Sequence, residues 1–355
     1  MEELFEAIDW NGPLGTGASD FSILAEQITQ KSFVFDALAL PYSLEPVYLG
    51  RYLRAGVNAI QLSVATDETW EETLKAFENV REKIERDSNL LLCTTAQQAR
   101  SCQAAGKLGV FLGTQGAGMI GGDLSRVERL SKLGLRFMGL CYTGANLFGD
   151  GCGETRDAGL TFLGRDFISE VNKQKLILDL SHSGHRTRLE AVELAIAPVC
   201  THTNSFEVTR NDRNIKDIIV SKIAERGGCI GLTALPKAVN LNAPSIADLY
   251  SHYARFASLY GSSHIGIGLD FSEAIRLSGD MGPVSTRWRT LRPDIFGTVE
   301  DYWSTDFPRG IETIDKLSNF AAAMLQFGVS RDTISAVLGS NWVTAIDRLQ
   351  GKFQN

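Results

Sequence analysis

The sequence predicts an α/β fold, a (β/α)8 barrel of the TIM type followed by C-terminal helices. Three observations support this prediction: eight short apolar, β-branched-rich runs, helical segments between them, and polar side chains directly after several runs. Strands that alternate with helices form parallel sheets, and eight such repeats close a sheet into a barrel. The predicted strands are 33–38, 57–63, 108–113, 136–141, 175–180, 197–201, 228–233 and 264–269.

The segments between the runs carry the pattern of amphipathic helices. TWEETLKAFENVREKIERD (69–87) begins with acidic and ends with basic residues, as the helix dipole favours, and RTRLEAVELAI (186–196) is a second example. Two more helices are predicted over 313–350, joined at Gly328. An open doubly wound sheet is the alternative fold, but no GxGxxG motif follows the first strand.

Two long segments interrupt the alternation of predicted strands and helices. Residues 141–163 are rich in Gly, Asn and Asp and follow the fourth strand, whereas residues 272–312 contain scattered Pro and Trp and follow the eighth. Loops after the carboxyl ends of barrel strands usually build the active site. No repeat or linker marks a second domain, so we expect one domain over 1–355.

The composition is that of a globular protein, with 44% hydrophobic and 22% charged residues. Lys and Arg number 35 against 42 Asp and Glu, and there is no basic run, so we expect no nucleic-acid partner. The chain lacks an apolar stretch of about 20 residues, and its acidic start MEELFEAIDWNGPLG is unlike a secretory signal. We therefore expect a cytoplasmic protein with no membrane partner. The six cysteines form no CxxC motif and are interpreted as small buried apolar residues.

Three chemically active side chains follow predicted strands. His182 comes after the fifth strand, His202 after the sixth and Asp270 after the eighth, so a barrel brings them to one rim. Two imidazoles and a carboxylate are typical zinc ligands, and a carboxylate beside a metal can accept a proton from an attacking water. The alternative is that each residue only caps the end of its strand.

The sequence gives less reason to predict a catalytic or metal-binding role for the other three histidines. His185 lies at a predicted helix start and is interpreted as a solvent-facing or supporting residue. His252 lies on a helical stretch and His264 at a strand start, and both are interpreted as structural.

Five motifs in order resemble one family: LDLSH (178–182), THTNS (201–205), RNDRNIKD (210–217), GIGLDF (266–271) and LGSNW (338–342). From about residue 33 to 345 the chain resembles the membrane (renal-type) dipeptidases, peptidase family M19 of the amidohydrolase superfamily. The resemblance implies a (β/α)8 barrel, usually a homodimer, that hydrolyses dipeptides with two zinc ions.

The sequence departs from the family at four positions of the site. In DALAL (36–40), Leu38 and Leu40 occupy the places of a histidine and an aspartate that bind the first zinc. Gln115, in TQGAG, replaces the glutamate that bridges both zinc ions, and a neutral amide is a poor bridge. Tyr142 replaces a histidine that helps to polarise the substrate carbonyl.

The other half of the family's site is retained. By resemblance, His182 and His202 match ligands of the second zinc, Asp270 matches the proton-shuttling aspartate, and Arg213 matches the arginine that binds the substrate carboxylate. The sequence therefore predicts at most one divalent metal, zinc, on His182 and His202, or none.

Three functions follow from this pattern. The first is an enzyme acting on a small amino-acid- or dipeptide-derived carboxylate, by hydrolysis with one metal or by metal-free acid/base chemistry of the lyase or cyclase type. The second is a non-catalytic pseudoenzyme that binds a small carboxylate or a protein partner. The third, an ordinary binuclear zinc dipeptidase, is least favoured because leucines replace two ligands. The predicted catalytic residues are Asp270, His182, His202 and Tyr142, and the predicted substrate-binding residues are Arg213, Tyr142, Gln115, Leu38 and Leu40.

Overall fold

Eight parallel strands surround a central core and are nearly closed into a barrel. The computed structural model describes residues 19–353. The strand order is β7-β6-β5-β4-β2-β1-β9-β8, and a parallel bridge between Cys200 and Ile230 joins the two ends of this order. The strands are β1 Val34–Ala39, β2 Val57–Ala65, β3 Leu90–Leu92, β4 Leu108–Thr114, β5 Leu135–Gly139, β6 Ile177–Asp179, β7 Pro198–Val199, β8 Ile230–Leu232 and β9 Ile265–Ile267.

The predicted barrel is confirmed, because each of the eight predicted runs contains or overlaps one barrel strand. The short strand β3 was not predicted. It pairs with β4, outside the order of the barrel.

Helices follow most of the strands and cover the outside of the barrel. The predicted helix at 69–87 is α3, and Thr69 and Glu72 close its first turn as a reciprocal capping box. The α-helices are α1 Ser19–Lys31, α2 Pro46–Arg54, α3 Trp70–Arg86, α4 Ala96–Ala105, α5 Ser125–Lys132, α6 Phe162–Lys173, α7 His185–Leu194, α8 Asp217–Glu225, α9 Pro236–Val239, α10 Ile246–Tyr260, α11 Glu273–Ser278, α12 Gly282–Leu291, α13 Pro293–Phe296, α14 Val299–Ser304, α15 Leu317–Gln326, α16 Arg331–Ser335 and α17 Asn341–Lys352.

The C-terminal helices differ from the prediction in one respect. The chain does turn at Gly328, which has a φ of +78°, but the second predicted helix is interrupted between α16 and α17 by a π-helical turn, Ala336–Ser340. Gly339 within this turn packs on β1, where a Cβ atom would lie 2.2 Å from the carbonyl oxygen of Phe33. The close approach of the backbones explains the interruption.

The barrel interior is a packed apolar core. Phe35 and Phe111 have ring centroids 5.6 Å apart, and Phe111 meets Phe137 edge-on at 6.0 Å. Trp342 of α17 is fully buried in the same cluster and donates from Nε1 to the carbonyl oxygen of Ile267 at 3.0 Å. Each such buried side chain contributes about 1.5–3 kcal/mol of transfer free energy. The filled interior leaves the carboxyl ends of the strands as the place for a site.

The segment 272–312, predicted as a long loop, instead forms the four short helices α11–α14. Several of their side chains border the cavity at the carboxyl ends of the strands. We call residues 273–304, which contain α11–α14, the lid. Arg292, between α12 and α13, fastens the lid by donating to the carbonyl oxygen of Gly153 at 2.8 Å and to the carboxylate of Asp212 at 3.0 Å.

The cysteines behave as the composition predicts, since all six are buried and have free thiols. Across residues 19–353, no helix combines the length and the apolar character that crossing a bilayer would require.

Candidate active site

A cavity of about 420 Å³ lies between the barrel rim and the lid. Five predicted site residues border it: Leu40 after β1, Gln115 after β4, Tyr142 after β5, His182 after β6 and Asp270 after β9. The folding of a parallel barrel therefore brings residues from distant parts of the sequence to one end, as predicted.

His182 and His202 are in direct contact. Their Nε2 atoms are 3.0 Å apart, and both side chains are buried. Gln115 completes a cluster of three, because its Oε1 atom lies 2.8 Å from Nε2 of His182.

The tautomer of His202 follows from its neighbours. The Asp179 carboxylate accepts hydrogen bonds from the hydroxyl of Ser181 at 2.6 Å and from the hydroxyl of Thr201. Because the Thr201 proton is used in this way, its oxygen is the acceptor for Nδ1–H of His202 at 2.7 Å. The Nε2 atom of His202 then carries a lone pair and no proton.

His182 has the opposite tautomer. The amide nitrogen of Gln115 donates to Ser63 Oγ at 2.8 Å, so its oxygen faces His182 as an acceptor. Nε2–H of His182 therefore donates both to this oxygen and to the lone pair of His202. On the other side of the ring, the Thr143 hydroxyl donates to Nδ1 at 3.1 Å. The cluster is thus satisfied by its own hydrogen bonds.

Both imidazoles are neutral at ordinary pH. Burial lowers the pKa of His182 and of His202 well below the usual range, and the positive charge of Arg213 lowers both pKa values further. The pair therefore contributes hydrogen bonds and not positive charge.

Two fully buried arginines lie behind the histidines. Arg188 is held by backbone carbonyl oxygens, with Nε on Leu180 at 3.0 Å, Nη1 on Asn214 at 2.7 Å and Nη2 on Ser181 at 2.6 Å. Arg213 donates from Nη1 to the same Ser181 oxygen, but its Nε and Nη2 atoms have no partner among the described residues. Arg213 does not border the cavity, so its predicted substrate contact is not formed in this structure.

Asp270 and Tyr142 are two titratable groups of the cavity wall, which also includes Glu68 and Tyr302. Asp270 has a φ of +56°, in the left-handed region. Burial raises the pKa of its carboxyl to about 7, although the positive charge of Arg213 opposes the rise. The Tyr142 ring lies 4.5 Å from the His182 ring, and burial raises the pKa of its phenol above the usual value. At neutral pH the tyrosine is a proton donor, and the aspartate titrates near this pH.

Asp36 is a buried carboxyl that the sequence argument missed. Its Oδ1 accepts from the backbone nitrogens of Leu269 at 2.8 Å and Leu38 at 3.3 Å, which ties β1 to the residue before Asp270. Its Oδ2 has no partner within residues 19–353, and burial raises its pKa to about 7. In the sequence, the only indication of this role was that Asp36 is a charged residue within the otherwise apolar predicted strand 33–38.

Leu38 and Leu40, which the family resemblance places at ligand positions, lie differently. Leu40 borders the cavity and forms part of its apolar wall. Leu38 is fully buried and is not part of the cavity lining. Only Leu40 is therefore placed to contact a ligand directly.

The other histidines lie outside the cavity lining. Nε2 of His185 is 3.5 Å from the Asp212 carboxylate, towards the outer side of the lid. His252 is fully buried and accepts from the backbone nitrogen of Ser205 at 3.1 Å, and Nδ1 of His264 lies 2.8 Å from the carbonyl oxygen of Gly228. These contacts agree with supporting and structural roles.

The donor set does not fit the zinc centre that the resemblance implies. Ligands of a tetrahedral zinc with bonds of about 2.0–2.1 Å are about 3.3 Å apart, whereas the His182 contacts to His202 and Gln115 are 3.0 and 2.8 Å. One Nε2 carries a proton, and the third donor is a neutral amide. Within residues 19–353, no group of three or more His, Cys, Asp or Glu side chains is arranged to hold a metal ion.

The lid supplies the outer wall of the cavity, which is mainly apolar and aromatic. Its residues there were not singled out from the sequence, because only the length of the segment 272–312 and its scattered Pro and Trp indicated a role. The lid side chains with large apolar or aromatic groups that border the cavity are Ile275, Met281, Pro283, Val284, Trp288, Phe296 and Tyr302.

The sequence matches characterised proteins over most of its length. The family model described as membrane dipeptidase (peptidase family M19) matches residues 19–289. The dipeptidase aclJ of Aspergillus oryzae is 26% identical over 242 residues, 66% of this chain and 50% of the relative. The dipeptidase tcpJ of Claviceps purpurea is 24% identical over 253 residues, 69% of this chain and 52% of the relative. The chain spans about half the length of these curated relatives.

Solved structures share the fold. An amidohydrolase from Pseudomonas aeruginosa has a TM-score of 0.78 and 25% identity, with 92% of this chain and 99% of that chain covered. A metallo peptidase from Rhodobacter sphaeroides, liganded with a phosphinate mimic of the dipeptide L-Ala-D-Ala, has a TM-score of 0.73 and 21% identity, with 90% and 99% covered. The fold, the ordered motifs and the family match lead to one conclusion: the chain belongs to the membrane dipeptidase family, peptidase family M19.

Proposed function

We propose that this chain binds a small amino-acid- or dipeptide-derived carboxylate in the rim cavity and transfers a proton on it without a metal ion. The observation that carries this proposal is the closed hydrogen-bond cluster of His182, His202 and Gln115. The cluster uses the atoms that would bind zinc, and it leaves Asp270 and Tyr142 on the cavity wall for chemistry.

Arg213 is the proposed binding group for the carboxylate. A buried guanidinium without a counter-ion is costly, and Arg213 has two buried donors without partners in the described residues. A carboxylate accepts two parallel N–H donors and neutralises the charge. Because Arg213 is covered in this structure, we infer that its side chain moves towards the cavity when the ligand enters.

Asp270 is the proposed proton acceptor. A carboxyl with a pKa of about 7 is well matched to proton transfer at neutral pH. In the proposed step the Asp270 carboxylate takes a proton from the carbon next to the substrate carbonyl, and the electron pair moves onto the carbonyl oxygen. The Tyr142 hydroxyl stabilises that oxygen by donating a hydrogen bond. Return of the proton, or loss of a leaving group from the neighbouring carbon, completes the reaction.

The names of the curated relatives favour a dipeptide-like substrate. The family resemblance would also allow metal-dependent hydrolysis, but the donor set described above does not support it. The proposal therefore keeps the substrate class of the family and changes the chemistry.

The test uses chelator-treated protein and a panel of dipeptides in D2O. NMR spectroscopy would follow deuterium incorporation next to the carbonyl group and the appearance of new products. We expect metal-free exchange or elimination that is lost in Asp270→Asn. Hydrolysis that appears only after zinc is added would contradict the proposal, and so would the absence of any dipeptide binding.

A further inference from the structure

A second, smaller chamber of about 30 Å³ adjoins the cavity. The two share part of their walls, including Arg289, Phe296 and Tyr302. Basic side chains are concentrated around the smaller chamber, so we call it the basic annex. Its charged and aromatic wall residues are Lys237, Arg276, Arg289, Asp301, Phe296, Tyr302 and Phe307.

The basic annex carries more positive than negative charge. Three of its wall residues are basic and one, Asp301, is a carboxylate. The nearest basic group to Asp301 is Lys237, with 3.6 Å between Nζ and Oδ2. Arg276 donates to the carbonyl oxygen of Thr305 at 2.8 Å, and its guanidinium lies 3.6 Å from the largely exposed Asp306. The third basic residue, Arg289, forms no ion pair within the described chain, although the negative charge of Asp301 raises its pKa against the effect of burial.

Arg289 is 9% exposed and lies with its guanidinium carbon 4.4 Å from the centre of the Tyr302 ring. Its Nη1 donates to the carbonyl oxygen of Phe296, but its buried Nε has no partner among residues 19–353. Burial lowers its pKa to about 10. Arg188 provides a contrast, because backbone carbonyl oxygens occupy each of its three nitrogens. Arg289 is thus a nearly buried cation with unused hydrogen-bonding capacity.

The size of the basic annex suits a small anionic group. A cavity needs about 10–15 Å³ to hold one water molecule, so about 30 Å³ has room for two small oxygen atoms. A carboxylate presents two oxygens and pairs well with guanidinium.

We propose that the basic annex is a second anion subsite and that the ligand of the cavity is a dicarboxylate. One carboxylate binds Arg213, as in the proposed function on which this inference rests, and the second binds Arg289 in the annex. The ligand class is an amino-acid or dipeptide derivative with an acidic side chain.

Two dipeptides of the same shape test the proposal: Ala-Glu, which has a side-chain carboxylate, and Ala-Gln, in which an amide replaces it. Isothermal titration calorimetry on chelator-treated protein would give both Kd values. A hydrogen bond to a charged group contributes about 1.5–3 kcal/mol, so we expect Ala-Glu to bind at least about tenfold more tightly. Arg289→Gln should remove this difference, whereas Arg289→Lys should keep part of it.

The control is Arg287→Gln, which removes an exposed positive charge from the same helix and should keep the tenfold preference. Equal binding of the two dipeptides to the natural protein would overturn this inference and leave the proposed function standing. A preference that survives Arg289→Gln would overturn it as well. If neither dipeptide binds, the proposed function fails, and this inference fails with it.

Discussion

The Nε2 atoms of His182 and His202 face each other at 3.0 Å. This contact is favourable only if one nitrogen carries a proton, and the hydrogen bonds of Thr201 and Gln115 place that proton on His182. A metal ion between the two nitrogens would have to displace the proton and separate the rings. The contact therefore supports the proposed metal-free cluster.

Restoring the carboxylate at position 115 should restore metal affinity. In Gln115→Glu the new negative charge supplies an anionic ligand beside His182 and favours a zinc ion there. We expect zinc affinity to rise about 10- to 100-fold, measured by calorimetry. Gln115→Met removes the amide without adding charge and should give no gain. A similar increase in zinc affinity in both variants would show that the missing carboxylate is not what prevents zinc binding.

Asp270→Asn should lower kcat by about 100-fold or more, the usual contribution of a positioned acid/base group. Because the carboxylate form accepts the proton, the rate of the natural protein should rise as the pH increases through about 7. Asp166→Asn, an exposed change on α6, should leave both rate and pH profile unchanged. A pH profile that is flat between pH 6 and 8 would argue against Asp270 as the base.

Asp36 should make the protein less stable as the pH rises. Its folded pKa of about 7 lies above the ordinary value of 3.8 for an aspartate. The stability of the fold with a protonated Asp36 is therefore fully present below about pH 4 and is lost as the pH rises through about 7. Asp36→Asn removes this titration. Compared with the natural protein, the variant should therefore gain on the order of a few kcal/mol more stability at pH 8 than at pH 5. Urea unfolding at the two pH values measures the effect. If the free energy of unfolding changes between pH 5 and pH 8 by the same amount in Asp36→Asn as in the natural protein, Asp36 is not the titrating group.

The two buried arginines should respond differently to substitution. Arg188→Met removes four buried hydrogen bonds from a charged group, each of which contributes about 1.5–3 kcal/mol, so it should destabilise folding strongly. Arg213→Gln removes a buried charge with unpaired donors and should cost much less stability while abolishing the preference for carboxylate over carboxamide ligands. Thermal unfolding and calorimetry separate the two effects. Equal losses of stability in the two variants would contradict a structural role for Arg188 and a ligand-binding role for Arg213.

The barrel was predictable because its signals are local. Each strand is a short apolar run, and the polar residues that follow, such as His182 and Asp270, mark the rim directly in the sequence. The rule that parallel strands end at one face then brings Gln115 and Tyr142 to the same cavity.

Other features depend on contacts that the sequence does not reveal. The lid helices are short, between four and ten residues, and depend on packing against the rim, so 272–312 resembled a loop. Arg188 and Asp36 are isolated charges in helix and strand patterns, and only the fold shows that both are buried. The protonation pattern of His182 depends on the orientation of Gln115, which is a matter of tertiary hydrogen bonding.

The most direct test of the metal-free site is a zinc titration of chelator-treated protein, followed by calorimetry and by elemental analysis after desalting. We expect no saturable zinc site at His182 and His202 tighter than about 1 μM, and no change in dipeptide turnover when zinc is added. One or two equivalents of zinc retained per chain, with turnover that requires them, would contradict it.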